Sequence, residues 1–263
     1  YLAIEAPEAV VIAAAKVGGI VANSSFPVEF LSENLQIQTN LLDAAHALGI
    51  RKLIFLGSSC IYPKECPQPI REEYLLTGPL ERTNEAYALA KIAGVKLVEA
   101  YNSEYGHRWV SMMPTNLYGP NDNFDLTQSH VLPALIRKFN EAKDSGLPDV
   151  TLWGDGTPLR EFLHSDDLAN AVIAMLTSDE AMGLINVGSG VEISIKELAN
   201  QIAEIVNYRG EVLWDSSKPN GTMRKLLDSS LIMSLGWSPK IPLDVGLREV
   251  NNAFHKMNRG DLE

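Results

Sequence analysis

Apolar and polar positions divide the chain into short buried runs and longer stretches of helical period. Residues 10–15 (Val-Val-Ile-Ala-Ala-Ala) and 53–56 (Leu-Ile-Phe-Leu) are continuous apolar runs of strand length. Such runs are typical of parallel strands covered on both faces. Residues 109–113 form a third strand, ending at Pro114. Between the first two, Phe30, Leu31, Leu35, Leu41, Leu42, Ala45 and Leu48 recur at helical spacing from Pro27, and Gly49 sits where a helix C-cap would. Residues 84–105 predict a second long helix that stops at Gly106. Strand, helix, strand, helix, strand at this spacing is a βαβ series, hence a parallel sheet with helices on both faces. Ligands in such sheets sit at the carboxyl ends of strands. Those ends are Ala15-Lys16, Gly57 to Cys60, and Pro114-Thr115-Asn116.

The second half is more mixed. Ser129 is expected to cap a helix over 130–144, and residues 150–153 and 161–164 read as short strands. A helix over 166–177 and a strand over 184–187 follow. Ser194 and Glu197 form a capping box that opens a helix to Asn207. Residues 212–214 read as a strand, and Pro242 suits the first turn of a last helix. No repeat or clear linker separates the halves. The expected architecture is α/β: a Rossmann-like parallel sheet with a smaller, interleaved α/β domain. Residues 1–118 and about 161–188 are assigned to the first, and about 119–160 and 189–263 to the second.

Charge and composition narrow the functions. Lys plus Arg is 22 and Asp plus Glu is 33, a net charge of −11 with no basic block, which argues against a nucleic-acid partner. Two cysteines, Cys60 and Cys66, cannot build a disulfide framework, and their spacing is not that of a CxxC metal pair. No metal site is expected. A reducing compartment fits. Residues 10–22 are the longest apolar stretch, but Lys16 interrupts them and they are too short to span a bilayer. Glu5 and Glu8 stand where a signal peptide would carry basic residues. The expected setting is cytoplasmic, without a membrane partner.

Candidate chemistry centres on Tyr87 and Lys91. Four residues apart on one helix, they emerge on the same face one turn apart. A free tyrosine titrates near 10, and a neighbouring ammonium is expected to lower that value and make the phenol a usable acid or base. A strand leading into Gly57-Ser58-Ser59, then a helix carrying Tyr-x-x-x-Lys, resembles the short-chain dehydrogenase/reductase arrangement. That resemblance implies that Ser58 hydrogen-bonds the substrate carbonyl, Tyr87 transfers the proton, and Lys91 holds the nicotinamide ribose.

The likeness goes further. Residues 13–20 (AAAKVGGI), 56–63 (LGSSCIYP), 83–91 (TNEAYALAK), 113–120 (MPTNLYGP), 129–135 (SHVLPAL) and 153–162 (WGDGTPLREF) are similar, in order, to the GDP-L-fucose synthase family. This family converts GDP-4-keto-6-deoxy-D-mannose to GDP-L-fucose by epimerising C3 and C5 and reducing C4 with NADPH. The resemblance implies Cys60 and His130 as the acid/base pair of the epimerisation. A thiol near 8.5 and an imidazole near 6.5 can both move protons acidified by an adjacent ketone. It also implies Leu56, Gly57, Ser58, Ser59, Tyr87, Lys91, Pro114, Thr115, Asn116, Leu117 and His130 as the NADP site. Lys138, Trp153, Arg160 and Asn220 are the implied GDP-sugar contacts. Arg160 suits a diphosphate, and Trp153 packs either on a ring face or in the core. Cys66, His46, His107, His164 and His255 are expected to be structural. A homodimer through helices 27–48 and 84–105 is expected from the superfamily's four-helix interface.

Two departures stand out. The family's Asp in an Asp-Gly-Thr-Pro segment is Asn220 here, in Asn220-Gly221-Thr222-Met223. No Gly-x-x-Gly-x-x-Gly pyrophosphate loop occurs. A first βαβ unit, roughly 30 residues, is therefore expected to be missing and the chain to be N-terminally incomplete. The competing readings are another extended short-chain nucleotide-sugar epimerase or dehydratase, and a cofactor-less binding protein.

Overall fold

The computed structural model describes residues 2–126, 129–218 and 220–259. The chain enters through a one-turn helix α1 (Leu2–Glu5) into β1 (Ala9–Ile12), then α2 (Ile20–Ser25), α3 (Pro27–Ala47) and β2 (Lys52–Leu56). α4 (Glu85–Tyr105) leads to β3 (Val110–Pro114) and, one residue later, β4 (Asn116–Tyr118). There follow α5 (Val131–Asp144), β5 (Asp149–Trp153), β6 (Leu159–His164), α6 (Ser165–Thr177), β7 (Gly183–Val187) and β8 (Glu192–Ser194). The chain closes with α7 (Ile195–Val206), β9 (Glu211–Asp215), β10 (Arg224–Lys225), α8 (Ser230–Ser234) and α9 (Leu243–Arg259).

The expected α/β fold is present. β1, β2, β3 and β7 make one parallel sheet in that order. Leu53, Ile54, Phe55, Val110, Met112 and Met113 are all buried in it, as continuous apolar strands require. α3 and α4 pack against each other beside this sheet, and the contact is close because Gly94 carries no side chain. A Cβ there would run into the Phe55 ring and stand 2.9 Å from Gln38 Oε1. The buried Gln38 donates to Ala90 O (2.6 Å), tying the two helices together. β6 is the centre of a second group: β10 and β4 flank it in parallel, and β8 pairs with it antiparallel. β5 and β9 form a separate parallel pair. A second core joins α5, α7 and α9 through Leu135, Phe139, Leu198, Ile202, Leu247 and Phe254.

Several expected boundaries move. The strand read over 10–15 stops at Ile12, because Ala13 and Ala14 are exposed and too small to anchor a sheet face. Ser129 does not cap α5; its N-cap is His130, whose side chain makes no capping bond. His164 caps α6 instead, its Nδ1 accepting from Asp166 N at 3.2 Å. The capping box forms as read: Ser194 Oγ accepts from Glu197 N, and Glu197 Oε2 accepts from Ser194 N, both at 3.1 Å. Among the described residues, no helix is long and apolar enough to cross a membrane.

Candidate active site

The carboxyl ends of β2 and β3 hold the sequence-predicted centre. β2 stops at Leu56, and Gly57 N still donates to Met112 O (2.9 Å) before the chain turns away. Ser58 then caps a short 3-10 turn, Ser59–Ile61, its Oγ accepting from Cys60 N at 3.4 Å. A Cβ on Gly57 would meet the Sδ and Cε atoms of Met113, so a larger residue there would push that side chain aside. Ser59 and Cys60 are buried and Ser58 half-buried.

α4 presents Tyr87 and Lys91 to this turn. Lys91 is 2% exposed, and its Nζ donates to Leu56 O at 2.8 Å. The ammonium also lies 4.9 Å from the centre of the Phe55 ring and 5.8 Å from that of Tyr87. Phe30, from α3, meets Tyr87 edge-on at 6.3 Å. The expected lowering of the tyrosine does not occur. Burial pushes the Tyr87 phenol up, reinforced by Cys60, and Lys91 lies by the ring rather than donating to the hydroxyl. The cost of burying charge falls on Lys91 as well, which burial lowers to about 8 against a smaller opposing effect of Cys60. At neutral pH the pair is therefore a protonated phenol beside an ammonium.

Cys60 does not sit at the ordinary thiol value either. Burial raises it, opposed first by the charge of Lys225, then by the Ser58 hydroxyl and Lys91. Lys225 had no signal in the sequence beyond a basic pair, Arg224-Lys225. The pairing of β10 with β6 brings it in, placing Lys225 in register with Arg160. Arg160 is half-buried; its Nη1 donates to its own carbonyl neighbour, Leu159 O (2.8 Å), and burial lowers its pKa.

Residues 114–117 complete the β3 end. Thr115 N donates to Val187 O (3.0 Å), and Thr115 Oγ1 and Asn116 Nδ2 both donate to Glu161 O, at 3.2 and 2.8 Å. Glu161 was also missed by sequence reading. It is wholly buried, its Oε1 accepting from Gly190 N (2.7 Å) and its Oε2 from Leu227 N (3.1 Å). One carboxylate thus ties β6 to the ends of β7 and β10, and its own carbonyl holds the Thr115-Asn116 corner.

The other predicted residues stand apart. His130 is exposed at the start of α5. Lys138 is two turns further on, half-buried and lowered by burial. Trp153 ends β5 with 61% of its surface exposed and Lys218 Nζ 5.7 Å from the ring centre, so it is a surface platform and not core. Asn220 Oδ1 accepts from Asp155 N at 3.0 Å, beside Gly154. Among the described residues, no hydrogen bond or ion pair joins His130, Lys138, Trp153 or Asn220 to the Cys60–Tyr87 group. Cys66 is half-buried and raised by burial. His46 and His107 pair with each other at 2.9 Å among Tyr101, Tyr105 and Trp109. Among the described residues, no cluster of His, Cys, Asp and Glu is suited to a metal.

The donor set suits the nicotinamide end of a dinucleotide. Lys91 has one backbone acceptor and keeps two further N–H groups for a diol. Tyr87 offers a protonated hydroxyl beside it, between two loops at strand ends where such ligands bind.

The chain is similar to known proteins along nearly its whole length. Residues 1–188 match the model of the NAD dependent epimerase/dehydratase family. A rice protein named probable GDP-L-fucose synthase 1 is 60% identical over 250 residues, 95% of this chain and 76% of that protein. The GDP-L-fucose synthase of Escherichia coli K12 is 52% identical, over 97% of this chain and 82% of its own. A crystal structure of a GDP-L-fucose synthetase from Naegleria fowleri bound to NADP superposes with a TM-score of 0.90 at 30% identity, covering 98% of this chain and 80% of that one.

Proposed function

Because the chain belongs to the NAD dependent epimerase/dehydratase family and, within it, to the GDP-L-fucose synthases, we propose that it converts GDP-4-keto-6-deoxy-D-mannose to GDP-L-fucose. The observation that carries the reading is the meeting of Ser58, Cys60, Tyr87 and Lys91 at the end of β2. It combines a reductase's Tyr–Lys pair with a thiol able to work on the same sugar.

The epimerisation comes first. The C4 ketone acidifies the C3 and C5 hydrogens. Cys60, as thiolate, takes such a proton; the electron pair passes to the C4 oxygen as an enolate, and His130 returns a proton to the opposite face. Inversion at both carbons needs groups on two sides, and the buried thiol and the exposed helix-end imidazole supply them. NADPH, when bound, supplies the reducing equivalent for C4. Lys91 holds its nicotinamide ribose, with Leu56, Gly57, Ser59 and residues 114–117 lining that end. Ser58 hydrogen-bonds the C4 oxygen, and Tyr87 delivers the proton that oxygen needs once reduced. The raised phenol suits this direction, since it stays protonated at neutral pH. Arg160 takes the diphosphate, with Lys138, Trp153 and Asn220 as further GDP-sugar contacts. The β1–β2–β3–β7 layer serves the cofactor, and the α5–α7–α9 core serves the nucleotide-sugar.

The test is turnover by protein expressed from its full reading frame. With GDP-4-keto-6-deoxy-D-mannose and NADPH, GDP-L-fucose should form in step with NADPH oxidation. Equal or faster use of a UDP- or dTDP-linked ketosugar would favour a different nucleotide-sugar enzyme. We also place a two-fold contact on α3 and α4, whose outward surfaces carry exposed Val28, Leu89 and Tyr105. Sedimentation at micromolar concentration should give a dimer; a monomer there would remove that contact.

A further inference from the structure

A carboxylate is seldom kept in a protein interior without a cation beside it. Glu161 is 0% exposed, and among the described residues it forms no ion pair; backbone N–H groups take its two oxygens. Burial of this kind is costly, so the reason for the carboxylate lies in what it holds.

Its oxygens reach three strand ends. Oε1 accepts from Gly190 N (2.7 Å), just beyond β7. Oε2 accepts from Leu227 N (3.1 Å), two residues beyond β10. The carbonyl of the same residue accepts from Thr115 Oγ1 (3.2 Å) and Asn116 Nδ2 (2.8 Å), the corner after β3. β10 is only two residues long, pairing Arg224 with Leu159 and Lys225 with Arg160. Leu159 N donating to Met223 O (2.9 Å) pins its start, and the Glu161 carboxylate pins its far side. Past that second pin, Leu227 bridges to Ile70 on the loop that follows Cys60. Ile70 N donates there to Leu226 O (2.7 Å), and Asp228 N to Ile70 O (2.8 Å). Nor is there room for the carboxylate to swing aside. A Cβ on Gly188 would collide with Oε1 and stand 2.7 Å from Cδ and 2.8 Å from Oε2, so the carboxylate occupies the space this glycine leaves. The segments it fixes carry site residues: Thr115 and Asn116 at the β3 end, and Arg160, the preceding residue on β6.

We propose that Glu161 is a positioning residue that sets the nicotinamide corner, Thr115-Asn116, and the diphosphate arginine, Arg160, in one frame; this rests on the reading of those residues as NADP and GDP-sugar contacts. The experiment reads binding before turnover. Protein expressed from its full reading frame is titrated with NADP and, separately, with GDP. Glu161→Gln keeps the shape of the side chain but turns an NH2 group toward one of the two backbone N–H donors. Both dissociation constants should rise about tenfold, with a cooperative melt retained. Gly188→Ala leaves the charge in place and displaces the carboxylate, and it should weaken both ligands too. It is the variant that decides if Glu161→Gln loses its melt. In turnover, KM for NADPH and for the GDP-sugar should rise together while kcat changes less than about threefold. A lowered melting temperature with both dissociation constants unmoved would make Glu161 a structural tie alone and overturn the proposal. Weakening of one ligand only would also overturn it. A parent protein that binds both ligands yet forms no GDP-L-fucose would defeat the functional reading instead, and the two titrations would still decide the role of Glu161.

Discussion

Tyr87→Phe is expected to stop C4 reduction, by about 10²–10⁴-fold in kcat, while solvent deuterium still enters C3 and C5. Reduction leaves an alkoxide at C4 that needs a proton as it forms. Tyr87 is the protonated hydroxyl beside Lys91, and burial keeps it so well above neutral pH. Phenylalanine keeps the ring and its edge contact with Phe30 at 6.3 Å, so the site retains its shape. On the proposed assignment the proton transfers at C3 and C5 use Cys60 and His130 and should continue. The measurement is NADPH oxidation set beside deuterium incorporation in the recovered sugar. Loss of both to the same degree would show that Tyr87 serves the two reactions together. Lys91 adds a pH dependence to the parent enzyme. With its ammonium brought down to about 8, the charge proposed to hold the ribose is complete below that value and fades above it. The KM for NADPH should therefore rise in alkaline solution.

β2 and β3 were legible because they are largely apolar runs buried on both faces; β1 was legible as an apolar run too, but it lies at the sheet edge and Val11 is 41% exposed, so the full burial expected of it does not occur. Helices α3 and α4 were legible from period and C-terminal glycine, with Gly106 in the left-handed conformation that ends α4. β4, β8 and β10 were not. They are two or three residues long, carry polar side chains, and exist only because β6 lies between them. The site divides in the same way. Tyr87 and Lys91 share one helix face by spacing alone, so their meeting could be read. Their depth could not, and depth reverses the direction in which Tyr87 moves. Lys225 and Glu161 left no local trace: Lys225 comes into register with Arg160, and Glu161 accepts from Gly190 N and Leu227 N, all remote in the chain. His164 also shows the limit: buried and capping α6, it has no periodic signature at all.

Cys60→Ser should give the converse of the tyrosine change. The 3-10 turn ought to survive, since Ser58 Oγ binds the backbone N–H of residue 60 and not its side chain. A hydroxyl is a far weaker acid than a thiol. A serine hydroxyl in the same buried turn is out of range for such a proton transfer. Epimerisation should fall by about 10² or more. Tyr87, Lys91 and Ser58 remain, so the ketone that enters is reduced before it is inverted. The product should then be a GDP-6-deoxyhexose that keeps the parental configuration at C3 and C5, with NADPH still consumed. Product analysis by NMR decides between the readings. GDP-L-fucose formed at the parental rate would make Cys60 a packing residue of the turn. A shift of product with reduction intact would assign the thiol to the carbon acids and the phenol to the alkoxide.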